Sequence, residues 1–207
     1  MKKIFISITV ALILAALAVS GVALTYPVVY KESVVKYSEE YNLDPMLVMA
    51  VIKTESNFDK DAISHKGARG LMQIGESTGR WASEILKLEE YTGDLLYDPE
   101  TNIRIGAWYL RELLDQYDHE YVALAAYNAG SGNVSEWLSN QEYSNDGENL
   151  QNIPFPETEE YVRRVQRNKR VYELVYGSSL LSGRDTFFDG LVISTRNWLK
   201  NTIKGLR

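Results

Sequence analysis

Asp44-Pro45-Met46-Leu47-Val48-Met49-Ala50-Val51-Ile52-Lys53-Thr54-Glu55-Ser56 is the stretch around which this 207-residue chain is organised. Asp44 offers a side-chain oxygen to cap a helix, and Pro45 suits the first helical position, where its missing N–H has no partner to lose. Leu47, Val48, Val51 and Ile52 recur at helical spacing and share one face. Glu55 lies four residues beyond Val51 and eight beyond Leu47, so the period sets it on that apolar face. A carboxyl there is partly desolvated, which raises its pKa. It then holds a proton near neutral pH and can donate it as a general acid. The plain alternative is a glutamate in a frayed last turn, reaching water. Segments further along the chain decide between the two.

The length allows one domain with a real core and short extensions. There is no cysteine, which removes disulfides, thiolate catalysis, cysteine metal sites and a lipid-modified N-terminal cysteine. His65 and His119 are the two histidines and share no helical spacing. Neither a histidine metal site nor a Ser–His–Asp triad is supported, and no metal or other cofactor is expected. The net charge of -6, with no basic cluster in the central region, argues against nucleic acid as a partner. Fourteen tyrosines and four tryptophans suit a groove for sugars or peptides, and they also fill cores.

Upstream, Lys2 and Lys3 precede an uncharged, mostly apolar run from Ile4 to Leu24. These 21 residues can span a bilayer, with the lysines on the cytoplasmic side. Residues 1–24 therefore read as a signal anchor or signal peptide. An uncleaved single-pass anchor is preferred, because the apolar run continues past the small residues Ala18-Val19-Ser20; a secreted form after cleavage is the alternative. Either way the rest of the chain lies outside the cytoplasmic membrane.

A lead-in helix is expected from about Lys31, with Val34, Val35 and Tyr41 packing on the helix of Glu55. Downstream, Asn57–Arg69 is polar and irregular, followed by Gly70-Leu71-Met72-Gln73. A helix over Ser77–Leu88 is expected with Trp81, Ile85 and Leu88 inward. Further helices run from Asp98 to about Tyr117, over His119–Asn128 and over Asn133–Leu138. Gly130 suits a helix stop after Ala126-Tyr127-Asn128-Ala129. Residues 139–156 form a polar loop long enough to suggest function. Glu157–Tyr176 is a strong helix, with Val162, Val165, Tyr172 and Val175 inward. Arg163, Arg164, Arg167, Lys169 and Arg170 are expected on its solvated face. Gly177–Gly183 reads as a linker. Asp185–Leu206 is a basic amphipathic segment that either lies on a membrane surface or docks on the domain.

Four separated segments, each weak alone, are specific in their order and spacing: Glu55-Ser56, Gly70-Leu71-Met72-Gln73, Ala126-Tyr127-Asn128-Ala129-Gly130 and Glu157-Thr158-Glu159-Glu160-Tyr161-Val162. Together they resemble the catalytic domain of the soluble-type lytic transglycosylases. The resemblance covers roughly Tyr30 to Tyr176 and implies an all-α, lysozyme-like domain over residues 25–177 that cleaves peptidoglycan. Residues 178–207 then form the linker and tail. The resemblance implies that Glu55 is the single acid/base and that Ser64 bonds near the reacting sugar. It implies that Met72 and Gln73 contact the glycan, and that Tyr127 and Asn128 line the cleft. Glu157 and Tyr161 would close its other side. Gly75-Glu76 departs, at one subsite contact, from the family pattern of a larger residue followed by proline.

In the implied reaction Glu55 protonates the glycosidic oxygen between N-acetylmuramic acid and N-acetylglucosamine. It then deprotonates the sugar's own C6 hydroxyl, leaving a 1,6-anhydromuramoyl end. Typical glycosidases use two carboxylates; a substrate that brings its own nucleophile needs one. Peptidoglycan strands are thus the expected partner, with the membrane reached through the N-terminal helix. A muramidase, as in the goose-type lysozymes, would need a second carboxylate, with Glu76 and Asp59 as candidates. A wall-binding module that has lost catalysis would have its acid replaced, whereas Glu55 is present.

Overall fold

The computed structural model of the chain describes residues 2–182 and the isolated positions 194, 195, 198 and 202. The helices are α1 (Lys2–Thr25), α2 (Lys31–Glu40), α3 (Pro45–Glu55), α4 (Glu76–Ile85), α5 (Pro99–Gln116), α6 (Glu120–Ala129), α7 (Ser131–Ser139) and α8 (Pro156–Ser182). A 3-10 turn over Gly93–Tyr97 precedes α5. Among the described residues the only β pairing is two isolated antiparallel bridges, Ile63 with Arg69 and Arg69 with Ile74. The expected all-α class holds.

Two units can be distinguished, residues 30–175 and a second made of residues 1–29 and 176–207. In the second, α1 holds an 18-residue window, Phe5–Val22, of mean hydropathy 2.5, long and apolar enough to cross a membrane. Its side chains, from Phe5 to Leu24, are largely exposed. The Tyr176 hydroxyl donates to the Tyr26 carbonyl at 2.8 Å.

The larger unit is built round α3. Its start agrees with the sequence: the Asp44 carboxylate accepts from Met46 N–H at 2.9 Å, with Pro45 at the first position. The expectation of a single buried face is too narrow, however. Every residue from Met46 to Ile52 is buried, so α3 is a central helix covered all round. Before it, α2 buries Val34 and Tyr37, and Lys36 and Tyr37 both bond Glu100 of α5, at 2.7 and 2.8 Å. In α5, Asp98 caps Thr101 N–H at 2.8 Å, and Ile103, Ala107 and Leu110 are fully buried.

Helix α4 is turned relative to the sequence expectation. Trp81 and Ile85 are exposed, at 44% and 56%, and the buried residues are Gly79, Ala82 and Ser83. Small side chains face in because neighbours approach closely; a Cβ on Gly79 would meet the Tyr91 hydroxyl. On α8, Val162, Val165 and Tyr172 are buried as expected. Arg164 is half-buried rather than solvated, and Lys169 reaches Glu120 at 2.8 Å and Asp44 at 3.5 Å. Helix α8 also continues through Gly177 to Ser182, where the sequence suggests a linker. One glycine costs a helix only about 1 kcal/mol, which neighbouring turns offset. The amphipathic segment expected over 185–206 lies almost entirely outside the described residues.

Candidate active site

Glu55 is the last residue of α3, and the next residue is tied back at once. The Ser56 hydroxyl donates to the Leu71 carbonyl at 2.8 Å, drawing the 70–73 loop against the end of α3. Asn57 and Phe58 then take left-handed backbone angles, φ 52 and 66, which turns the chain sharply away. Such angles cost a non-glycine residue on the order of 1 kcal/mol each and gather at functional sites.

The loop itself is clamped by Asn102, which is fully buried. Its Oδ1 accepts from Met72 N–H at 2.8 Å, and its Nδ2 donates to the carbonyls of Leu96, at 2.8 Å, and Arg69, at 2.9 Å. Gly70, at φ 76, is required here: a Cβ would overlap the Leu96 carbonyl and the Asn102 amide. Gln73 adopts φ 49, and its Nε2 donates to the Gly70 carbonyl at 2.9 Å and the Ala62 carbonyl at 3.2 Å. Both amide hydrogens are committed, so Gln73 offers a ligand its Oε1 acceptor.

Helices α6 and α8 also bring side chains to Glu55. The Tyr127 hydroxyl donates to the Met72 carbonyl at 2.9 Å, joining α6 to the loop. Asn128 accepts on Oδ1 from the Thr158 hydroxyl at 2.8 Å, which orients its amide. One turn further along α8, Tyr161 is buried, and its hydroxyl has no partner in hydrogen-bonding geometry. It nevertheless lies close enough to Glu55 to favour the charged carboxylate. Asn168 donates to Thr54 at 3.0 Å, fixing α8 beside the residue that precedes the acid.

The electrostatics centre on Glu55. Burial is the largest influence and pushes its carboxyl up to about 7; the Tyr161 hydroxyl and the Arg164 charge pull it down and only partly offset this. The residue keeps some surface open to solvent while its carboxyl is desolvated by the surrounding protein. Burial, reinforced by the Glu55 charge, raises the Tyr127 and Tyr161 phenols well above their ordinary range, so both stay neutral. Of the charged side chains described, Arg164 alone acts on Glu55. A carboxyl poised at this value can give a proton and then take one back.

The structure thus brings Glu55, Tyr127 and Tyr161 together, with Gln73 and Asn128 held on the adjoining loop and helix end. Met72 differs from its expected place: its side chain is fully buried, with its sulfur against Gly106, and its backbone N–H and carbonyl are bonded to Asn102 and Tyr127. Ser64 accepts from Ala68 N–H at 3.1 Å within its own turn and is not hydrogen-bonded to Glu55. Glu157 is exposed in the first turn of α8, and no hydrogen bond or ion pair described for the chain involves it. Sequence reasoning overlooked Thr158, Asn102 and Arg164. Arg164 had a usable signal, since it lies three residues beyond Tyr161 and seven beyond Glu157 on one helical face. Among the described residues no group of three or more potential metal ligands occurs.

Residues 32–150 match the Transglycosylase SLT domain, and the chain belongs to that family. It is 35% identical over 143 residues to the soluble lytic murein transglycosylase of Salmonella typhimurium, covering 68% of this chain and 22% of that one. It is 36% identical over 118 residues to the membrane-bound lytic murein transglycosylase C of Sodalis glossinidius, covering 51% of this chain and 32% of that one. Its fold matches the lytic transglycosylase Slt of Pseudomonas aeruginosa, solved as an inactive glutamate-to-glutamine mutant, with a TM-score of 0.65 and 30% identity over 74% of this chain and 25% of that one. The chain therefore spans about a quarter of the length of the soluble relatives it matches. Its all-helical, lysozyme-like fold also matches the 70 kDa soluble lytic transglycosylase of Escherichia coli, with a TM-score of 0.65 and 31% identity over 73% of this chain and 25% of that one.

Proposed function

We propose that the chain is a membrane-held lytic transglycosylase that cuts peptidoglycan between N-acetylmuramic acid and N-acetylglucosamine. Glu55 is its single acid/base. Protonated Glu55 gives its proton to the glycosidic oxygen as the bond to C1 breaks, and the muramic 2-acetamido group stabilises the oxocarbenium-like centre. The resulting carboxylate takes the proton of the C6 hydroxyl, and O6 bonds to C1. The product is a 1,6-anhydromuramoyl end; no water is consumed, and Glu55 regains its proton.

The observation that carries this reading is a desolvated Glu55 carboxyl at about 7, with Arg164 the one described charge acting on it. A water-activating second carboxylate is the mark of the hydrolytic alternative. Glu76 is engaged with Arg69 at 3.1 Å and Arg80 at 3.4 Å, and Asp59 accepts from Asp61 N–H at 3.0 Å. Neither acts on Glu55. The relatives' names, lytic murein transglycosylases, support transglycosylase action on murein.

Helix α1 supports anchoring as a single-pass protein with the catalytic unit on the extracytoplasmic side. Carbonate-resistant sedimentation with membranes and protease access to the larger unit from outside would bear this out; release by carbonate would refute it. The chemical test is mass spectrometry of peptidoglycan digested by the full chain in mild detergent, beside Glu55→Gln. Products one water lighter than hydrolytic ones, lost with Glu55→Gln, are expected. Reducing muramic ends would establish a hydrolase instead.

A further inference from the structure

The outward turn of α4 leaves a large aromatic where the sequence would bury one. Trp81 is 44% exposed, with exposed Ile85 one turn on. Its ring is nonetheless fixed. It packs edge-on against Trp108, itself buried, at 4.7 Å between centroids and 69°. It also meets Tyr109 at 6.3 Å and 82°. Tyr109 in turn lies 5.4 Å from Tyr127, whose hydroxyl feels the Glu55 charge. Two ring contacts therefore join the exposed indole to Tyr127 beside Glu55.

We propose that the open face of Trp81 is a sugar-stacking subsite for the glycan strand, engaging a residue remote from the bond at Glu55. This rests on the glycan-cleaving reading of the cleft. The C–H face of a pyranose stacks on an indole, and a ring held by Trp108 and Tyr109 loses little freedom on binding. The other occupants of an exposed tryptophan fit poorly. A face that docks on anionic lipid is rimmed by Lys and Arg. Here α4 carries Glu76, Arg80 and Glu84, with Arg80 already paired to Glu76. A second copy of the chain would need about 800 Å² per partner, well beyond two side chains.

The test uses the full chain in detergent micelles as wild type, Trp81→Ala and Trp81→Phe. Each is given long glycan strands and the shortest strand that is still cleaved. Trp81→Ala should raise KM for long strands roughly 3- to 10-fold, from the strength of aromatic contacts. It should leave kcat within about twofold and the short strand unaffected, with Trp81→Phe restoring most of the affinity. Unchanged KM on long strands would overturn the proposal, as would an equal loss on both substrates. Loss of vesicle binding or of self-association with KM unmoved would overturn it too, reassigning the face. If the wild type cleaves nothing, the cleavage reading fails by itself. Cosedimentation of Glu55→Gln with insoluble peptidoglycan, with and without Trp81→Ala, then judges the subsite: weaker binding with Trp81→Ala upholds it, and equal binding overturns it.

Discussion

Glu55→Gln keeps the size of the side chain and removes its titration, so it isolates what desolvation does to the acid. The carboxyl is held at about 7 against an ordinary value of 4.5. Between those values the native chain keeps a proton that the unfolded chain releases. The unfolded state therefore binds fewer protons, and stability falls as pH rises through that window, remaining lower above it. At about 1.4 kcal/mol per unit the shift corresponds to roughly 3 kcal/mol. Glu55 keeps some contact with solvent, and screening brings the expected loss to about 2 kcal/mol. Glutamine does not ionise, so Glu55→Gln is expected to exceed wild type by about 2 kcal/mol near about pH 8 and to equal it near about pH 4. Urea titrations of the full chain in detergent micelles, read by tryptophan fluorescence, measure the gap. A gap independent of pH, or one of opposite sign, would show that Glu55 is not a desolvated acid. The same substitution should cut the cleavage rate by roughly 1,000-fold, the range of general acid–base catalysis.

Arg164→Gln removes the charge that pulls the Glu55 carboxyl down, so its pKa rises further. The protonated form is the donor, so the alkaline limb of the pH–rate profile should move to higher pH, with Arg164→Lys restoring it; an unmoved limb would refute the coupling. Gly70→Ala places a Cβ against the Leu96 carbonyl and the Asn102 amide at a positive φ. It should cost roughly 2–3 kcal/mol in a thermal or urea melt, and a melt matching wild type would show that the loop is not held as described. Thr158→Val takes the donor from Asn128. A stability loss of about 1 kcal/mol is expected, with a lower kcat, and unchanged kinetics would remove Asn128 orientation from the mechanism.

Local chemistry was legible in the chain itself. The Asp44-Pro45 cap and the apolar run of α3 depend on neighbours in sequence, and they place Glu55 at the end of a buried helix. Gly70 and Gly130 likewise declare backbone angles that other residues avoid, φ 76 and 88. The order of the four motifs was enough to expect an all-helical, lysozyme-like domain. The sequence could not settle which way each helix turns and what meets across it. Trp81 and Ile85 carry the larger hydrophobic signal on α4, yet Gly79, Ala82 and Ser83 face inward, and at Gly79 the Tyr91 hydroxyl leaves no room for a Cβ. Met72 sits in a groove motif and yet fills the notch left by Gly106, more than 30 residues on. Arg164 reads as one of several solvated cations until the packing of α8 beside α3 brings its charge to Glu55. Desolvation, clearance and through-space charge arise from residues distant in sequence. The chain alone pointed to Glu55 as the candidate acid, and the tertiary structure decided what surrounds it and so at what pH it holds its proton.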